Sequence, residues 1–160
     1  MEKTTEFLCP MTGRLLDLSA VPDEVFADKV MGDGFAVDLQ GKDVVAPVAG
    51  VVESVFPGGH AVCMVADNGC QILIHIGLET HHIPGVYRVR VKAGQRVKQG
   101  ELLVTADYKK VRKHAHSPVS PVVFLNQEKV RILKEDQLVK AGENHIVEIT
   151  YGGQGECTTA

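Results

Sequence analysis

His60 and His75 are the residues whose type and spacing point most directly to chemistry. A neutral imidazole near pH 7 can attack an electrophile such as phosphorus through one ring nitrogen while the other donates its proton to a fixed acceptor. Asp67-Asn68-Gly69 offers the positive-φ positions of a tight turn. A hairpin folded about Asp67-Asn68 pairs position 60 with position 75. Directly opposed residues of antiparallel strands have Cβ atoms about 4.5–5.5 Å apart, so two such rings can share one phosphoryl group. Zinc is the competing occupant, since paired imidazoles suit it and Glu79 can add an oxygen ligand. Taken singly, each histidine reads as a hydrogen-bonded core residue; the facing pair is what favours function.

The elements that must position this pair are strands. In Gln71-Ile72-Leu73-Ile74-His75-Ile76 the period of two puts the three isoleucines on one face and Leu73 and His75 on the other. Val51–Val55, then Pro57-Gly58-Gly59, then Ala61–Val65 read as strand, turn and strand. Tyr87, Val89 and Val91 alternate with Arg88, Arg90 and Lys92, and Leu102–Val104 and Val122–Leu125 add short apolar strands. With 16 glycines and 7 prolines as punctuation, the expected fold is all-β: an antiparallel sandwich or barrel. Two short helical stretches are expected, one capped by Asp107 and running through Tyr108 and Val111 to His114, the other within Val21–Lys29. Cys9-Pro10-Met11-Thr12-Gly13 and Ala46-Pro47-Val48-Ala49-Gly50 echo each other and point to internal symmetry.

The 160 residues, 44% of them apolar, suit one compact domain over 1–150, with 151–160 as a frayed tail. A net charge of -3, from 17 basic and 20 acidic side chains, argues against nucleic-acid binding. No apolar run approaches the roughly 20 residues of a membrane span, and the polar N-terminus is unlike a secretory signal, so a cytoplasmic protein without membrane insertion is expected. Cys9, Cys63, Cys70 and Cys157 lack CxxC spacing and read as free thiols.

Phe7 to Asp107 resembles the glucose-type enzyme IIA (EIIA) domains of the bacterial phosphoenolpyruvate-dependent sugar phosphotransferase system. The resemblance rests on Val21-Pro22-Asp23-Glu24-Val25-Phe26-Ala27-Asp28-Lys29, Val45-Ala46-Pro47-Val48-Ala49-Gly50, Ile72-Leu73-Ile74-His75-Ile76-Gly77-Leu78-Glu79-Thr80 and Gly94-Gln95-Arg96-Val97-Lys98-Gln99-Gly100. Ser117-Pro118-Val119-Ser120-Pro121-Val122-Val123 extends it. It implies a β-sandwich with jelly-roll character and a shallow apolar depression. It further implies that His75 takes a phosphoryl group from the phosphorylated carrier HPr and passes it to a cysteine of an EIIB domain, with His60 as the supporting histidine. Gly77 would offer its carbonyl to the non-attacking nitrogen of His75, Phe26 and Phe56 would form an apolar partner-binding rim, and Asp23 and Glu79 would flank it. No cofactor is required on this reading. Regulation of cytosolic or transport proteins by the same surface is the alternative the resemblance permits.

Two departures stand out. Many relatives carry threonine two residues before the supporting histidine, where this chain has Gly58, and the stretch His81-His82-Ile83-Pro84-Gly85-Val86-Tyr87 is one residue shorter. His81 and His82 read as solvated loop residues. His114-Ala115-His116, read as a strand, would place two imidazoles on one side as in lysostaphin-type zinc peptidases, but no upstream His and Asp pair accompanies it. A biotinyl- or lipoyl-like carrier is disfavoured because no Met-Lys or Asp-Lys pair occupies a hairpin turn at the matching place.

Overall fold

The computed structural model describes residues 2–4 and 6–151. Its strands are β1 (Glu2–Thr4), β2 (Gly13–Asp17), β3 (Gly34–Leu39), β4 (Asp43–Val45), β5 (Gly50–Val55), β6 (Ala61–Ala66) and β7 (Gln71–His75), continuing with β8 (Tyr87–Val89), β9 (Arg96–Val97), β10 (Leu102–Ala106), β11 (Val119–Phe124), β12 (Lys129–Ile132), β13 (Leu138–Val139) and β14 (Val147–Tyr151). Two short helices interrupt them, α1 (Glu24–Ala27) and α2 (Tyr108–His114), and a single 3-10 turn covers Leu18–Ala20. The strands form one sheet in the order β13-β2-β3-β11-β7-β6-β5-β9 and two three-stranded sheets, β4-β10-β8 and β1-β14-β12. Every pairing is antiparallel among the described residues. The all-β antiparallel sandwich expected from the sequence is the fold observed. Tyr151 ends β14 instead of starting a frayed tail, and the rest of the expected tail, 152–160, lies outside the described residues.

The internal echo is structural. Gly13 pairs with Val139 at the start of β2, and Gly50 pairs with Val97 at the start of β5. A Cβ at Gly13 would lie 2.0 Å from the Asp38 carbonyl oxygen, and one at Gly50 would lie 2.2 Å from that of Val65, so each partner backbone passes too close for any other residue. The turns after Val97 and Val139 also match: the amides of Lys98 and Lys140 donate to the carboxylates of Glu101 and Glu143 at 2.9 and 3.0 Å. The large sheet is thus laid out alike on either side of its central pair, β11 and β7.

Two apolar clusters fill the molecule. The larger draws on all three sheets, through Phe35, Ile72 and Ile74, through Val44 and Val104, and through Val147 and Ile149. The smaller holds Leu18, Val21, Phe26, Ala36, Ala61, Cys63, Leu73, Leu78 and Val123. Alternation along β7 divides the strand between them, with Ile72, Ile74 and Ile76 in the first and Leu73 in the second. The strand therefore presents His75 on the face of the smaller cluster.

The ladder between β7 and β11 runs Phe124↔Ile72, Val123↔Leu73 and Val122↔Ile74, and stops there. The next residue of β11 is Pro121, which still pairs with Ala36 of β3 but has no N–H to offer toward β7. The chain leaves the sheet after His75 and turns at Gly77.

Both expected helices form. Asp107 caps α2 by accepting from the Lys110 amide at 3.3 Å, and Asp23 caps α1 by accepting from the Val25 amide at 2.9 Å. Cys9 and Cys63 are free, but Cys70 is disulfide-bonded, which corrects the expectation of a free thiol there. Cysteine spacing is silent on pairings of this kind.

Candidate functional site

The turn between β6 and β7 does not close as the sequence suggests. The Ala66 amide donates to the Cys70 carbonyl at 2.8 Å and the Gly69 amide to the Ala66 carbonyl at 2.9 Å, so the loop is the three residues Asp67-Asn68-Gly69 with Gly69 at φ 93°. One more loop residue shifts the register by one: His75 stands opposite Ala61, and the Ile76 amide donates to the His60 carbonyl at 2.7 Å. The expected direct pairing of 60 with 75 is therefore corrected. The rings still meet, with centroids 5.2 Å apart and planes at 67°. His60 precedes β6 and follows Gly58 and Gly59, both at positive φ (90° and 86°), so the turn carries its ring to the side of His75.

Each ring is held at the same atom. His75 Nδ1 lies 2.8 Å from the Gly77 carbonyl oxygen, and His60 Nδ1 lies 3.2 Å from that of Pro57. A carbonyl only accepts, so both contacts require a proton on Nδ1 and leave the Nε2 lone pair of a neutral ring free. The Pro57 contact anchors the His60 ring although position 58 is a glycine and offers no hydroxyl. Burial holds the pKa of His75 below the ordinary histidine value; the Gly77 hydrogen bond opposes that shift, the neighbouring His60 adds to it, and Asp23 weakly opposes it.

Gly77 is itself fixed from several directions. Its amide donates to the Ser120 hydroxyl at 2.8 Å, and that hydroxyl donates to the Pro118 carbonyl at 3.0 Å. Its φ of 69° suits glycine, and a Cβ there would lie 3.0 Å from Val111 Cγ1 of α2 and 3.2 Å from Thr80 Cγ2. The Tyr87 hydroxyl donates to the Ile76 carbonyl and lies 3.1 Å from Thr80 Oγ1; burial pushes its pKa up to about 12, so it stays a donor. Ser120 and Tyr87 were not singled out from sequence, although Ser120 lies in the quoted Ser117–Val123 stretch.

The remaining predicted residues separate. The Phe26 ring centroid is 5.3 Å from that of His75, and Phe26 is only 7% exposed, so it is a wall behind the imidazole. Phe56 lies 5.8 Å from His60 and is 41% exposed, with Val25 and Val30 also presented to solvent. Asp23 is occupied as the cap of α1. Glu79 is exposed at φ 54°, and its carboxylate lies 4.0 Å from Nδ1 of His116.

Among the described residues no group of three or more His, Cys, Asp or Glu side chains could hold a metal ion. Two imidazoles alone do not match the four-ligand set of a structural zinc site. His114 closes α2, so His114-Ala115-His116 is not a strand and its imidazoles do not share a strand face, contrary to the geometry read from the motif. His82 Nε2 lies 3.0 Å from the His114 carbonyl, joining the loop that follows Thr80, with His81 and His82 exposed and Ile83 and Val86 buried, to that helix end.

A family model described as phosphoenolpyruvate-dependent sugar phosphotransferase system, EIIA 1, matches residues 5–130. The chain belongs to this EIIA family. It is 43% identical over 147 residues to the PTS system glucose-specific EIIA component of Halalkalibacterium halodurans, covering 90% of this chain and 85% of that one. The component of the same name from Staphylococcus epidermidis is 34% identical over 153 residues, covering 94% and 92%. Among solved structures, the glucose permease IIA of Mycoplasma capricolum superposes with a TM-score of 0.79 at 33% identity, over 92% of this chain and 96% of that one. Like any member of a sugar phosphotransferase system, this EIIA chain takes its place in sugar transport. Among the described residues no helix is long and apolar enough to cross a membrane.

Proposed function

We propose that His75 carries the phosphoryl group, receiving it from phospho-HPr and delivering it to a cysteine of a cognate EIIB domain in the cytoplasm. The observation that carries this reading is the 2.8 Å contact between His75 Nδ1 and the Gly77 carbonyl, which leaves Nε2 as the nucleophile. Attack by Nε2 forms a new N–P bond as the N–P bond of the donor histidine breaks. An EIIB thiolate then forms an S–P bond as the bond to Nε2 breaks, and His75 returns to its neutral state. The depressed pKa keeps the lone pair available near pH 7.

His60 has Nδ1 committed to Pro57, so when doubly protonated it donates Nε2–H toward the phosphoryl oxygens. Phe26 and Phe56 border the two rings with apolar surface that limits water around a labile N–P bond. The exposed Phe56, Val25 and Val30 also suit weak docking, which supports a second role in binding regulated cytosolic or transport proteins according to phosphorylation state.

The test is incubation with phosphoenolpyruvate, enzyme I and HPr, followed by intact mass. One added phosphoryl group in wild type and none in His75→Gln is expected; equal labelling of the two would remove His75 from this role. His60→Gln is expected to accept phosphate and pass it on poorly.

A further inference from the structure

A second concave site lies on the β4-β10-β8 sheet, bounded by none of the residues that surround the two imidazoles. It is a cleft of about 350 Å³ whose lining includes Lys42, Arg88, Arg90, Thr105, Tyr108 and Lys109. This volume falls in the lower range of small-molecule pockets, roughly 300–1,000 Å³. Four cations converge on it in a chain whose net charge is -3.

The strand pattern explains the convergence. Arg88 is the cross-strand partner of Thr105, and Arg90, two residues on, reaches the same row with its Nε 3.3 Å from Thr105 Oγ1. Lys42 enters from the end of β4, where its carbonyl accepts from the Ala106 amide at 2.7 Å. Lys109 comes from α2 on the opposite border. Tyr87 and Val89 point the other way along β8, the first holding the Ile76 carbonyl and the second packed where a Cβ on Gly59 would meet it at 2.6 Å.

Among the described residues none of these four cations forms an ion pair. Asp107 is the acidic side chain in the lining, and its carboxylate is engaged with the Lys110 amide. Asp43 flanks Thr105 from β4 but does not line the cleft. Asp107 and Asp43 offset part of this charge, and a multivalent anion relieves the repulsion that remains among the four cations. Arginine pairs recognise phosphate oxygens with two-pronged hydrogen bonds, and a threonine hydroxyl adds a directional contact.

We infer that this cleft binds a small phosphorylated anion carrying a diphosphate or two phosphate groups. Its size suits a small soluble anion, and the clustering of Arg88, Arg90 and Thr105 in one row suits adjacent phosphate groups. The inference is independent of the phosphocarrier reading, because none of its residues contacts His60 or His75.

The test is calorimetric titration of the full chain with inorganic pyrophosphate at low ionic strength. Saturable one-to-one binding is expected, weakened at least about tenfold in Arg88→Gln/Arg90→Gln and unchanged in the distant Lys129→Gln, with cooperative unfolding of each variant checked in parallel. Absence of saturable binding to wild type would overturn the inference, and so would equal weakening by Lys129→Gln. A second arm uses phosphatidylglycerol–phosphatidylcholine vesicles. Retention on vesicles without pyrophosphate binding would reassign the cations to a lipid surface and overturn the small-molecule site. His75 phosphorylation in the double variant is expected to match wild type, so a failed titration leaves the phosphocarrier reading untouched.

Discussion

Ser120 and Gly77, 43 residues apart in sequence, are joined by a 2.8 Å hydrogen bond in which the serine hydroxyl accepts from the glycine amide. Through the Gly77 carbonyl that bond reaches His75, so a residue of β11 sets the orientation of an imidazole on β7. Ser120→Ala leaves the Gly77 amide unsatisfied in a buried place, at a cost of about 1–3 kcal/mol. Denaturant unfolding is expected to show that loss, and phosphoryl acceptance is expected to slow with it. Full-rate acceptance by a destabilised Ser120→Ala would show that Gly77 holds the ring without this support.

Protonation gives a second test. Because the folded pKa of His75 is depressed, the unfolded chain binds a proton at this residue more readily than the folded one. Stability from this group is complete above the ordinary histidine value of about 6.5 and is lost as pH falls from there toward the folded value. The stability of wild type relative to His75→Gln should therefore decline between pH 7.5 and 5.5. An NMR titration of the ring with a midpoint at or above 6.5 would contradict this.

Phe26→Ala probes the cause of that depression. Removing a buried phenylalanine costs about 3 kcal/mol, and here it also opens the wall behind His75 to water. Burial is the largest cause of the shift, so the His75 titration midpoint is expected to rise toward the ordinary value in this variant. An unchanged midpoint would assign the shift to the rest of the pocket.

Position 58 separates sterics from backbone strain. A side chain there meets no atom within 4 Å, yet the backbone sits at φ 90°. Gly58→Thr is expected to lose about 1–3 kcal/mol through conformational strain. Urea unfolding showing equal or greater stability would mean that the turn relaxes.

Much of this was legible because β7 obeys a strict period of two: Ile74 and Ile76 had to face the main core, and His75 had to face away. Asp107 was readable as a cap from local sequence, whereas Asp23, expected beside the partner-binding rim, is found as the cap of α1. Register was harder. Asp67-Asn68-Gly69 is compatible with two-residue and three-residue loops, and only the Ala66–Cys70 closure decides between them. The burial of Phe26 and the support from Ser120 depend on contacts between distant segments, which local pattern does not encode.

Cys63 offers a chemical probe of the smaller cluster. Burial, with a hydrogen bond to Glu53 and that carboxylate's charge, pushes its thiol up to about 12, and it is 6% exposed. Iodoacetamide at pH 8 is expected to leave it unmodified in the native state and to alkylate it in urea, read by peptide mass. Rapid native alkylation would show that this face opens.

The division of the interior into two clusters bears on how such a chain diversifies. The larger cluster ties all three sheets together, and damage there threatens the whole fold. The smaller one supports the histidine face with nine buried members, two of them, Leu18 and Val21, from the short segment between β2 and α1 and a third, Phe26, from α1 itself. A substitution at Leu18, Val21 or Phe26 therefore reaches the surface offered to partners first, and one at Phe35 or Ile74 reaches the sandwich as a whole.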